Sequence, residues 1–571
     1  MSAGSLDSRI QKMFASSFRM ARHFSPNSSC WGQTNTACCS TDALYLLRQN
    51  VIVAVTKIEN GGKPMKTGFK RLAACAAGLM LASAAFAQAA PADKAEKKDA
   101  AASMAAPAAP NRSVTKHVGT FNGQKISYTA ITGETFLPGA DGKPRAAIFS
   151  TSYIKDGKDP NRPVTFLFNG GPGSGSVWLH MGAFGPVRVA IPSDAHDDGA
   201  PPYPMVANPD SLLDTTDIVF IDPVGTGFSY AMPGVDPQEF WGVTQDAKSV
   251  AQFIRLWLNE HGRWNAPKFV GGESYGTTRS AAVLNQLEGQ YNDVSLNGVI
   301  LISTVLDFGA GADTPGNEIG YALNIPSMAT TALYHGKTSH PGGAAGIAAE
   351  ARAWASGPYL AALLKGNALG AQERAAVRKD LAHYTGLSEA FLDRADLRVT
   401  PARFYKELLR DRGLSIGRLD SRYTGKDFDA AGSEPDNDPS FYGIDGGYTA
   451  AINDYARTTL GYKTDRSYVT IGGVGKWDWR LNEGRDSDTY MNVAPYISRA
   501  LRENSGLRIF VGQGYYDFAT PFFAAEYALT RADFAKDRIQ FHHYDAVHMM
   551  YVRDEDRAKL ARDIRAFIKS R

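Results

Sequence analysis

The stretch PKFVGGESYGTTRSAAVL, residues 267–284, sets the tightest limit on the fold. An apolar run enters a glycine turn, and a helix-like pattern leaves it. At the centre lies Gly272-Glu273-Ser274-Tyr275-Gly276. A serine on such a strand-to-helix turn is lifted clear of the sheet, and small residues on either side relieve the crowding. Strands that feed helices in this way belong to mainly parallel sheets covered on both faces. The string therefore predicts both an architecture and a nucleophile, Ser274. It also raises a question, because the serine's immediate neighbour is an acid, Glu273.

The rest of the chain agrees with that architecture. Strand-like runs rich in β-branched and aromatic residues occur at 146–154, 163–171, 217–225 and 296–308. Residues 244–263 carry helical spacing through Ala247, Val250, Ile254, Leu256 and Leu258. The alternation pauses between about 310 and 500, where alanine-rich helical stretches give way to Asp-, Gly- and Tyr-rich segments. It resumes at 507–517 and 539–548 and ends in a helix. The expected organisation is one α/β domain, its first part at 113–309 and its second at 501–571, with a lid-like insertion at 310–500.

The N-terminal region reads differently. From Met65, MKTGFKRLAACAAGLMLASAAFAQAAP has the basic start, apolar stretch and small-x-small end of a secretory signal, with cleavage expected after Ala87. The apolar stretch Leu72–Phe86 is shorter than the ~20 residues a spanning helix needs, so cleavage rather than stable membrane insertion is expected. Residues 1–64 precede this signal and show no period, which suggests an upstream start outside the native protein. Residues 88–112 are almost all Ala, Pro, Lys and Asp and read as a tether. Removing residues 1–87 takes away 10 Lys and Arg but only 3 Asp and Glu, turning the formal +3 into −4. That balance offers no basic surplus for nucleic acid. All four cysteines (Cys30, Cys38, Cys39 and Cys75) lie in the removed part, so the exported, periplasmic or secreted product relies on its core and not on disulfides.

A nucleophilic serine needs a base, and the base an orienting acid. On a sheet of this kind the chain order is Ser, then Asp or Glu, then His. The C-terminal strand region holds His542, His543 and His548. The first two fall inside a strand-like run, whereas His548 lies past it, where a loop brings imidazole over the strand ends. Asp517 ends the run RIFVGQGYYD, where functional groups emerge from parallel strands. Asp307 is the weaker rival, Asp222 comes too early in the chain, and Asp545 is too local to His548. FNGGPGSGS, 168–176, follows a strand, and its glycines let backbone N–H groups approach an oxyanion; the Tyr275 N–H is the second expected donor. The near-copy GFSYA around Ser229 starts no helix and reads as a loop packing position. No phosphate loop and no metal-ligand spacing is present, so no cofactor is called for.

Together FNGGPGSGS, NPDSLLDTTDIVFIDPVGTGFSY, GGESYG, GQGYYDFATP and HHYDAVHMM resemble the serine carboxypeptidases, members of the α/β-hydrolase fold. The resemblance implies Ser274 as nucleophile, His548 as base and Asp517 as orienting acid. It implies oxyanion donors at Gly171 and Tyr275, and contact of Asn169, Gly170 and Glu273 with a peptide's free C-terminal carboxylate. An ionised Glu273 would repel that carboxylate, while a protonated one donates to it. In the family the proton is shared with a second glutamate, replaced here by Ala183, and an aromatic before the Asn is replaced by Leu167. Hydrolysis is therefore better supported than carboxypeptidase specificity. An esterase or acyltransferase with the same three residues is the alternative, and a non-catalytic peptide-binding envelope protein a further one.

Overall fold

The computed structural model describes residues 109–570, except 193–194, 197, 290–291, 312–313, 482–490 and 532. The signal at 65–87, residues 1–64 and most of the tether lie outside the described residues. The described chain builds a ten-stranded sheet. Its main strands are β1 (Arg112–Phe121), β2 (Gln124–Pro138), β3 (Pro144–Lys155), β4 (Val164–Phe168), β5 (Asp217–Ile221), β6 (Lys268–Ser274), β7 (Gly298–Thr304), β8 (Arg508–Gly514) and β9 (Ile539–Tyr544).

The strands lie in the order β1-β2-β3-β5-β4-β6-β7-β8-β9. The first three pair antiparallel, and β3 meets β5 antiparallel. From β5 to β9 every pairing is parallel. β4 is flanked by β5 on one side and β6 on the other, so the chain reverses its direction of travel across the sheet there. A crevice opens beyond the carboxyl ends of strands at such a point.

The parallel strands are buried on both faces, and successive residues divide between two cores as a period of two demands. Leu167, Phe269, Ile300 and Phe510 join one apolar cluster, which includes Leu560 and Ile564 of α7 (Asp554–Lys569). Phe166, Val270, Val299 and Ile509 join the other, against α1 (Val243–His261), α2 (Tyr275–Leu287) and α6 (Ala494–Glu503). This is the α/β-hydrolase fold, a mainly parallel sheet flanked by helices. Among the described residues no helix is long and apolar enough to cross a membrane.

Between β7 and β8 the chain forms α3 (Glu318–Tyr334), α4 (Gly343–Trp354) and α5 (Ala371–Thr385), with shorter helices around them. These pack into a third apolar cluster of their own, which also takes in Phe518 beside the second part of the sheet domain. Two stretches inside the expected 310–500 insertion belong instead to the main cores. Tyr448, Ile452, Tyr455 and Tyr462 sit in the first cluster, and Val493, Ala494 and Ile497 in the second. The boundary expected at 500 falls inside α6, because that helix buries its apolar face with the residues of α2. The sheet domain also starts with a long hairpin, β1–β2, at residues the sequence reading gave no strand. Its turn, Asn122-Gly123, has both residues at positive φ, 48° and 76°, as a tight two-residue hairpin requires.

Candidate active site

Ser274 ends β6 and immediately precedes α2, with φ 60° and ψ −130°. A non-glycine residue at positive φ stores backbone strain. The motif's glycines make the bend feasible. A Cβ on Gly272 would fall 2.1 Å from the Gly276 carbonyl oxygen, and one on Gly276 would fall 2.8 Å from that of Phe168. α2 is anchored beneath the elbow by Arg279, which is fully buried. Its guanidinium pairs with Asp246 of α1 at 2.6 Å and donates to the Asn169 carbonyl.

Asp517 and His548 lie just past the ends of β8 and β9, so all three groups emerge at the carboxyl edge of the sheet. His548 Nδ1 is 2.9 Å from Asp517 Oδ2, and both residues are buried. The carboxylate also accepts from the Ala519 and Thr520 N–H groups at 2.8 and 3.0 Å, and from the Thr520 hydroxyl at 2.6 Å. With its oxygens engaged, Asp517 is held in one orientation. Burial disfavours the imidazolium, but the charge and hydrogen bond of Asp517 outweigh it, so His548 is held above its ordinary range. Ser274 and His548 line the same cavity, of about 450 Å³.

The rival residues are engaged elsewhere. Asp307 pairs with Arg531 at 2.5 Å and accepts from Asn492. Asp222 accepts from the Ser176 N–H and the Tyr468 hydroxyl. Tyr516 donates to Asp545. His543 lies 2.6 Å from Glu526, and His542 faces Asp563 at 3.4 Å. Ser229 is a packing residue: its hydroxyl donates to the Asp222 carbonyl at 2.6 Å and accepts from the Phe149 N–H at 2.7 Å.

The glycine loop after β4 lies against the elbow. A Cβ on Gly170 would come within 2.6 Å of the Tyr275 nitrogen, so only glycine permits this approach. Gly171, at φ 100°, follows in the same loop. The Tyr275 N–H is the first of α2 and has no partner within the helix. Gly171 and Tyr275 line one cavity together with Ser274.

Asn169 and Glu273 are joined by a hydrogen bond of 3.1 Å, and the Asn169 oxygen accepts from the Leu179 N–H. Ala183 stands where the resemblance implied a second glutamate, and among the described residues no carboxyl hydrogen-bonds to Glu273. Burial pushes its pKa up to about 7, against the opposing pull of His548 and of hydrogen bonds from Tyr551 and Asn169. The Tyr551 hydroxyl adjoins Glu273 and Asn169. Even so, neither that hydroxyl nor Glu273 Oε2 makes a hydrogen bond of regular geometry among the described residues. Tyr551 and Thr520 were not among the expected site residues; of these only Thr520, three residues after Asp517, carries a local signal.

Two cavities meet at Ser274. One, of about 450 Å³, is lined by Asn169, Gly170, Glu273, Trp178, Phe441 and His548. The other, of about 300 Å³, is lined by Tyr275, Phe308, Asn324, Trp479 and Phe518. Each is of a size to take a side chain and not a folded partner.

Residues 143–324 match the family described as serine carboxypeptidase. Serine carboxypeptidase-like 4 of Arabidopsis thaliana is 27% identical over 183 residues, 30% of this chain and 35% of that protein. Serine carboxypeptidase-like 16 of the same plant is 30% identical over 166 residues, 27% of this chain and 36% of that protein. The chain thus spans about a third of the length of the curated relatives it matches. Among solved structures, KEX1(delta)p, a prohormone-processing carboxypeptidase from Saccharomyces cerevisiae, is similar with 13% identity and a TM-score of 0.44. That similarity covers 77% of this chain and 90% of that one. The matched segment runs from β3 through the elbow serine into α3, and over that segment the chain is similar to the serine carboxypeptidase family.

Proposed function

We propose that this protein is an exported serine hydrolase that removes residues from the free C-termini of peptides through an acyl-enzyme. The observation that carries the reading is the buried 2.9 Å contact of His548 with Asp517, beside a cavity that His548 shares with the elbow serine. Ser274 attacks the scissile carbonyl while His548 takes its proton. The imidazolium that forms is stabilised by Asp517. The Gly171 and Tyr275 N–H groups hold the oxyanion, and such a donor contributes roughly 2.7–4 kcal/mol in the transition state. His548 then returns the proton to the leaving amine, and water releases the acyl group by the same steps. The leaving residue occupies the larger cavity, where Asn169 and a protonated Glu273 receive its carboxylate. Export rests on the signal-like segment at 65–87.

Substituting Ser274→Ala and following hydrolysis of blocked dipeptides tests the assignment. Turnover should fall by on the order of 10⁶-fold with an unchanged thermal unfolding profile. Peptide hydrolysis that survives the substitution would refute it. Ala183 favours a second reading, ester hydrolysis or acyl transfer by the same three residues. Equal cleavage of a free-acid peptide and its amide would point that way.

A further inference from the structure

Arg418 is the one residue besides Gly171, Ser274 and Ala519 that borders both cavities. It comes from the segment between β7 and β8, and only its main chain is tied into the fold. The Arg418 N–H donates to Asp438 at 3.1 Å, and its carbonyl accepts from the Phe518 N–H at 3.1 Å. The guanidinium is exposed and makes no hydrogen bond or ion pair among the described residues. The other cations near the site are committed: Arg422 to Asp420 at 2.9 Å, and Arg531 to Asp307. The charge of Arg418 nevertheless reaches the catalytic centre, where it opposes protonation of His548.

We infer that Arg418 is a specificity-determining residue that pairs with the terminal carboxylate of the peptide whose hydrolysis is proposed above. Substrate side chains enter the two cavities, so a group on their common rim faces substrate backbone. The backbone anion nearest the scissile bond is the carboxylate of the leaving residue. Arg418 supplies the full positive charge that neither Asn169 nor Glu273 carries. Its planar fork suits a carboxylate, and because the guanidinium has no partner to give up, pairing breaks no existing ion pair. This inference rests on the carboxypeptidase reading, but binding without turnover tests it separately.

The test is calorimetric titration of the Ser274→Ala protein with a blocked dipeptide and with its C-terminal amide. The parent should bind the free acid more tightly. Adding Arg418→Ala should weaken free-acid binding about 10- to 100-fold, as loss of a hydrogen-bonded charge does, and narrow its lead over the amide. Arg418→Lys should keep part of the preference, because the charge stays and the fork is lost. Should Arg418→Ala protein fail to fold, the parent's free-acid affinity should still fall with added salt while the amide's holds. A free acid bound equally by the parent and by the Arg418→Ala protein, or a parent that binds the acid and the amide alike, overturns the inference. Failure of wild-type Ser274 to react with a fluorophosphonate, with the binding pattern intact, would instead count against hydrolysis alone.

Discussion

Replacing Glu273 by Gln probes the least ordinary group in the site. Burial lifts this carboxyl from 4.5 to about 7. Each pKa unit corresponds to about 1.36 kcal/mol. The folded-state pKa is raised, so the stability contributed by the protonated carboxyl is fully present below pH 4.5. It is lost as pH rises through about 7. Glutamine carries no such dependence. Between pH 5 and pH 8 the Glu273→Gln protein should therefore gain on wild type by about 2–3 kcal/mol of unfolding free energy. Titrations shared by the two proteins cancel in that difference.

The same proton governs binding. One unit above the pKa about a tenth of the protein keeps the proton, so the KM for a free-acid peptide should rise about tenfold. The amide supplies the control, since His548 acts on both substrates. The informative quantity is the free-acid to amide ratio of kcat/KM from pH 5 to 9. It should fall above pH 7 in wild type and stay level after Glu273→Gln, whose amide still donates. A wild-type ratio that is flat across that range would refute the argument, as would the same fall in both proteins.

Two further substitutions address the frame. Asp517→Asn should leave the serine in place but lower kcat by about 10³- to 10⁴-fold, because the amide does not stabilise the imidazolium; steady-state kinetics with a near wild-type rate would exclude Asp517 as the orienting acid. Gly272→Ala puts a methyl 2.1 Å from a backbone oxygen that has nowhere to move. It should destabilise the protein by more than about 3 kcal/mol and abolish fluorophosphonate labelling, and a stable, labelled variant would show that the elbow is slacker than drawn.

The sequence was most informative where local chemistry and fold coincide. Gly272-x-Ser274-x-Gly276 marked the elbow because backbone crowding there admits little else. Alternating burial on strands covered on both faces made the parallel run legible. The β1–β2 hairpin was passed over although Phe121-Asn122-Gly123-Gln124 is a tight-turn signal, because β1 is largely exposed and its apolar alternation is faint. The raised pKa of Glu273 is not legible either, since it comes chiefly from desolvation by residues far apart in sequence. Arg418 follows Gly417 in a loop without period, and only the folded chain shows that it borders both cavities.

The segment that carries Arg418 is also interlaced with the catalytic loops. The His548 N–H donates to the Leu419 carbonyl at 2.9 Å, the Phe518 N–H to that of Arg418, and the Ser421 N–H to that of Tyr516. The loops bearing the base and its acid are thus stitched to a part of the chain that lies before β8. A nascent chain that has completed the elbow but not this stitching holds a serine with no seated base. Seating the proposed base and acid beside the elbow therefore depends on contacts between residues far apart in the chain.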